Sequence, residues 1–151
     1  MLSLQKILSR FTDEEFCELF KPINNGQHRL LRISLLEIER FFFIEFQCEF
    51  RDYAFYTYYY HFNVDDRSLN MAFTDYEDCV LCWDDRWKWI GKQIERGCSN
   101  DSVLNIKYLD DVQVKHSNAI TRRNVMELLK TPFIQMNSRI GDFIVVIVMD
   151  H

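Results

Sequence analysis

Twelve of the 22 residues from Phe41 to Phe62 (FFFIEFQCEFRDYAFYTYYYHF) are aromatic, out of 23 in the whole chain. Rings fit a pleated, half-buried surface, so this run is read as strand, in two passes joined near Arg51-Asp52. In the first pass Ile44, Phe46, Cys48 and Phe50 alternate with Glu45, Gln47, Glu49 and Arg51, giving one apolar and one charged face at period two. In the second, Ala54, Tyr56, Tyr58, Tyr60 and Phe62 face one way and Phe55, Thr57, Tyr59, His61 and Asn63 the other. Rings on both faces predict a central strand, with tyrosine hydroxyls reaching a wet rim.

Helices bracket this centre. Leu4, Ile7, Leu8 and Phe11 follow helical spacing. Thr12 and Glu15 form a capping box, closed by a Phe11/Phe16 staple, and Phe16, Leu19 and Phe20 make the apolar face that follows. Lys21-Pro22 ends that helix, and Asn24-Asn25-Gly26 is a turn. Residues 29–41 carry two readings: alternation of Leu31, Ile33 and Leu35 argues strand, while Ser34 and Glu37 suit a helix cap; strand is favoured. Asp65 to Ser68 is a turn, Leu69, Met71 and Phe73 open a further strand, and Val80 to Cys82 suits a short one. Asp84 or Asp85 caps a helix with Trp83, Trp87, Ile90 and Ile94 on one face, stopped by Arg96-Gly97. Val112 and Val114 suggest strand. Thr121 caps a helix over 122–130, with an Ile120/Val125 staple and Pro132 beyond its end. Phe143 to Met149 reads as an apolar strand, too long and uniform for an exposed edge. Consecutive strands in the middle predict an α+β single domain over residues 1–151: a mainly antiparallel sheet of about five strands with helices packed on one side.

The charge is uneven. The net charge is −5, yet Glu37 to Asp85 holds 12 acids and three bases. An acidic centre disfavours nucleic acid, whose phosphates need a basic footprint, and favours a basic partner through long-range steering. No signal peptide is visible and no apolar run approaches the roughly 20 residues that span a bilayer, so no membrane association is expected. With five cysteines, an odd number, the expectation is a reduced, cytoplasmic protein.

No pattern announces chemistry. Cys79-Val-Leu-Cys82 has the gap of metal and redox sites, but Cys98 and His116, the nearest further ligands, complete an irregular spacing for zinc, and buried structural cysteines are the simpler reading. The pairs Asp65-Asp66, Asp84-Asp85 and Asp110-Asp111 suit caps and turns better than an acid/base pair across a cleft. His28, His61, His116 and His151 are scattered, and four glycines build no phosphate loop. The reading is therefore no catalytic residue, no metal and no cofactor. Of the tryptophans, Trp89 points off the apolar stripe and is the better contact candidate.

In size, acidity and the character of FFFIEFQCEFRDYAFYTYYYHFNVDD and FTDYEDCVLCWDDRWKW, the chain resembles bacterial immunity proteins of contact-dependent inhibition and related toxin systems. The resemblance implies a small non-enzymatic protein that neutralises a cognate toxin, often a basic nuclease. On charge and ring content, the candidate contacts are Glu45, Glu49, Asp52, Tyr59, Asp65, Asp66, Asp75, Glu77, Asp78 and Trp89. Two alternatives stand beside it: a viral or phage-encoded anti-defence or host-binding protein, and a small metal-dependent hydrolase. A homodimer through an aromatic edge is compatible with all three.

Overall fold

A computed structural model of the chain describes residues 2–23, 29–50, 54–76, 79–95, 104–114, 120–130, 133–140 and 143–149, the last two segments as backbone. The helices are α1 (Leu4–Leu8), α2 (Asp13–Leu19), α3 (Lys88–Glu95, entered through a 3-10 turn at Asp85–Trp87) and α4 (Arg122–Leu129). The strands are β1 (Arg29–Ile38), β2 (Phe41–Phe50), β3 (Ala54–Phe62), β4 (Leu69–Tyr76), β5 (Cys79–Cys82), β6 (Ile106–Gln113), β7 (Phe133–Ile140) and β8 (Phe143–Met149). β1 to β6 form one antiparallel sheet in the order β5-β4-β3-β2-β1-β6, and β7 pairs with β8 in a separate two-stranded sheet. The fold is α+β, with six strands in the main sheet rather than five. No helix among the described residues is long and apolar enough to cross a membrane.

Local chemistry accounts for most elements. Thr12 Oγ1 accepts from Glu15 N at 3.1 Å and Glu15 Oε1 from Thr12 N at 3.0 Å, completing the capping box of α2. Thr121 Oγ1 accepts from Asn124 N at the start of α4, with Ile120 and Val125 both buried beside it. Residues 29–38 are strand, so pairing with β2 and β6 overrides the Ser34/Glu37 cap pattern. The turn from β1 to β2 puts Glu39 at φ 60°, a conformation costly for a residue with a Cβ. Both its backbone N–H (2.9 Å to Asn105 O) and its carboxylate (3.2 Å from Asn105 N) hold it there.

The sheet is covered on both faces. On one, Leu4, Leu8, Phe16, Phe20, Val125 and Leu129 pack against Ile33, Leu35, Ile44, Phe46 and Tyr60. On the other, Trp87 and Ile90 pack against Leu36, Phe43, Tyr59 and Phe73. Helices on a single side were expected. The reason for the difference is β2 itself, where Phe43, Ile44, Glu45 and Phe46 are all buried, so no face of its centre is solvated.

Three further expectations change. Trp83, assigned to the buried stripe of α3, is 65% exposed, because it follows β5 directly, before the helix begins, while Trp87, Ile90 and the partly buried Ile94 turn inward. Asp110-Asp111 forms no local cap or turn: both lie in β6 and alternation sends them to opposite faces, Asp110 accepting from the N–H of Leu4, the first residue of α1, at 2.9 Å and Asp111 meeting Arg32. The apolar β8 was read as an interior strand; it pairs with β7, which the sequence pattern did not reveal, and with no other described strand. The turn at Asn24–Gly26, the stop at Arg96-Gly97 and Pro132 lie outside the described residues.

Candidate functional site

One cross-strand row runs over all six strands of the main sheet. Asp111 pairs with Ser34, Ser34 with Glu45, Glu45 with Tyr59, Tyr59 with Phe73, and Phe73 with Cys82. Its β6–β2 half is polar and its β4–β5 half apolar, with Tyr59 joining them: its ring stacks on Phe73 at 4.5 Å and its hydroxyl bonds to Glu45.

The polar half is closely satisfied. Arg32 donates to both oxygens of Asp111 at 2.6 and 2.7 Å, and Ser34 Oγ donates to Asp111 Oδ1 at 2.9 Å. Gln47 Nε2 donates to Glu45 Oε1 at 3.2 Å. The Arg32 guanidinium also lies over the Tyr108 ring, 5.1 Å from its centroid. Burial raises the Glu45 carboxyl above the usual glutamate range, and Tyr59 and Arg32 oppose the shift. Burial and the neighbouring Glu45 push the Tyr59 phenol well above its ordinary value. A carboxyl that is already bonded by two side chains and 3% exposed supports the sheet; it does not reach outward.

This placement corrects two contact candidates. Glu45 and Tyr59, 3% and 7% exposed, present no side chain to a partner, because the face read as solvated is the second packed face. Glu49 is part-exposed and lies 3.8 Å from Arg29. Asp65 and Asp66 are exposed in the β3–β4 turn, where hydrogen bonds from the Ser68 hydroxyl and from Ser68 N, the latter at 2.9 Å, lower the pKa of Asp66. Asp75 is half-buried on β4, on the same face as Tyr59. Trp89 is 52% exposed, as its position off the stripe predicted. Asp52, Glu77 and Asp78 lie outside the described residues, as do Cys98 and His116.

The cysteine pair is separated by its strand. Cys79 pairs with Tyr76 and Cys82 with Phe73. Three residues apart in a strand means opposite faces, whereas a C-x-x-C chelate needs both sulfurs on one side of a turn. Cys79 is exposed, and Cys82 Sγ is turned inward, 3.8 Å from Trp87 O. Among the described residues no three His, Cys, Asp or Glu side chains gather to hold an ion.

Sequence reading missed one surface. On the face that carries α1, α2 and α4, the β3–β5 corner brings together Tyr56, Tyr76, Leu81 and Trp83. Tyr56 and Tyr76 are register partners with ring centroids 4.4 Å apart. Leu81 pairs with Thr74, and Trp83 Nε1 donates to Thr74 Oγ1 at 3.4 Å. Leu81 and Trp83 are 51% and 65% exposed. The available signal was the length of β5: four residues at a sheet edge carry an apolar outward position with little to cover it. No protein-family model matches the chain, and no match is found among curated proteins or solved structures.

Proposed function

We propose that the chain is a non-enzymatic protein-binding domain, an immunity-type inhibitor that neutralises a basic, nuclease-type toxin. The observation that carries this reading is the exposed Leu81–Trp83 corner over Tyr56 and Tyr76, followed directly by the exposed carboxylates Asp84 and Asp85. Tryptophan and tyrosine supply large, stiff contact area, and they dominate binding hot spots. Asp84 Oδ1 caps the 3-10 turn by accepting from Arg86 N at 2.9 Å, and the only ion pairs at the two carboxylates among the described residues are exposed, Arg86 at 3.7 Å from Asp84 and Lys88 at 3.0 Å from Asp85. Such pairs are worth little, so an incoming cation displaces them readily. The wider acidic segment from Glu37 to Asp85 supplies the field that steers a basic partner. The free thiols at Cys17, Cys48, Cys79 and Cys82 fit a reducing, cytoplasmic setting.

The test is affinity capture from the native source with the wild-type chain and with Trp83→Ala and Leu81→Ala, read by mass spectrometry. A basic protein captured by the wild type and lost with either variant supports the reading. Its association rate should fall as salt rises, since exposed charge is screened. Capture unchanged by both variants, or a rate indifferent to salt, sinks it.

A further inference from the structure

A cleft of about 460 Å³ opens between α1 and the β3–β4 turn, on the α1 side of the sheet and separate from the Trp83 corner. Its apolar wall includes Ile7, Phe62 and Val64, and its rim includes Lys6, Arg10 and Arg67. Ile7 and Phe62 are nearly closed to solvent, while Val64 stays 47% exposed and marks the cleft as open. Arg67 closes the turn at φ 62°, its N–H bonded to Asn63 O at 2.7 Å. Among the described residues neither Arg10 nor Arg67 makes an ion pair, although Asp65 and Asp66 stand in the same turn. Three cations on one opening are out of keeping with a chain of net charge −5.

We infer that this cleft binds a small amphipathic anion, a carboxylate or phosphate monoester carrying an aliphatic or aromatic tail. The volume falls within the roughly 300–1,000 Å³ usual for small-molecule sites, and the lining has their chemistry: a mostly apolar wall with a few charged side chains. The tail packs on the wall formed by Ile7 and Phe62 and covers Val64, which is 47% exposed. The head takes charge-assisted hydrogen bonds from two guanidiniums, whose planar forks match carboxylate and phosphate oxygens alike. A nucleic-acid backbone fits poorly, because Asp65 and Asp66 interrupt the positive surface beside Arg67.

The experiment is a titration of the ¹⁵N-labelled full chain, followed by amide chemical shifts. The probes are octanoate and octyl phosphate, with octylammonium carrying the same tail under the opposite charge and acetate carrying the head alone. Saturable shifts confined to residues 2–10 and 62–67 are expected with octanoate or octyl phosphate, and the tighter of the two identifies the head group. Arg10→Gln combined with Arg67→Gln should weaken binding about tenfold or more, the scale of two charge pairs lost at a solvent-screened opening. Both side chains are exposed, so the thermal midpoint should not move. Octylammonium binding as tightly as octanoate, no saturation with either anion, or affinity unchanged in the double variant overturns the inference.

Discussion

The guanidinium of Arg32 clasps the carboxylate of Asp111 through Nε at 2.6 Å and Nη2 at 2.7 Å, joining β1 to β6 across 79 positions of sequence. The two side chains are only 28% and 18% exposed, and Ser34 Oγ adds a third bond to the same carboxylate. Asp111→Ala leaves the guanidinium and the Ser34 hydroxyl without their acceptor in a partly desolvated place. We expect a loss of about 1–3 kcal/mol in urea denaturation. A double-mutant cycle with Arg32→Ala should give a coupling larger than the roughly 0.2–1 kcal/mol typical of exposed pairs.

Glu45 sets a pH dependence. Burial raises its pKa in the folded chain above the unfolded value, so between those two values the folded state binds the extra proton. Its contribution therefore favours the folded state at acid pH and is lost as pH rises through the folded pKa. Glu45→Gln keeps an acceptor for the Tyr59 hydroxyl without the charge. The stability difference between wild type and this variant should move against the wild type as pH rises from the ordinary glutamate range. Denaturation curves from pH 4 to 7 with a constant difference contradict this assignment.

Gly91 is the contact point of α3 on β5. A Cβ built there would lie 2.9 Å from both Cys82 Sγ and Val80 Cγ1. Alanine favours a helix over glycine by about 1 kcal/mol, but overpacking costs about 1–3 kcal/mol, so Gly91→Ala should destabilise or come out near neutral. Adding Cys82→Ala and Val80→Ala should recover part of the helix gain, seen as a positive coupling in thermal denaturation.

Trp83 and Trp87 separate a surface role from a core role. Trp87 is 2% exposed and meets Phe41, Phe43 and His61 with ring centroids 5.0, 5.1 and 4.4 Å away. Trp87→Ala should cost about 3–5 kcal/mol. Trp83→Ala removes an exposed ring and one 3.4 Å bond, and should stay within about 1 kcal/mol, which keeps it usable as a binding probe.

The cysteines should differ in reactivity. Cys17 and Cys79 are exposed, whereas Cys48 is buried and its thiol is pushed up to about 12. The thiolate is the nucleophile, so native-state maleimide labelling read by peptide mass spectrometry should modify Cys17 and Cys79 and spare Cys48. Labelling of Cys48 at a comparable rate would contradict its burial.

Local rules carried far in this chain. Caps at Thr12 and Thr121, the turn at Asp65–Ser68 and the period-two runs of β2 and β3 depend on neighbours within four residues, and each stands where its pattern puts it. The candidate site was less legible. Glu45 and Glu49 sit four apart on the same side of β2, yet one is buried and the other part-exposed. Alternation fixes which side a residue faces; what covers that side is decided by elements distant in sequence.

The sequence by itself determined most of the elements, though not β7, together with the antiparallel centre and the crowding of rings, because hydrogen-bonded turns and side-chain periodicity act over a few residues. Only the tertiary structure decided that both sheet faces are packed, that Asp111 finds Arg32, that Trp83 is left outside while Trp87 goes in, and that Lys6, Arg10 and Arg67 meet at one cleft. Burial and charge pairing depend on which strands and helices come together, and that is set by the balance of the whole core.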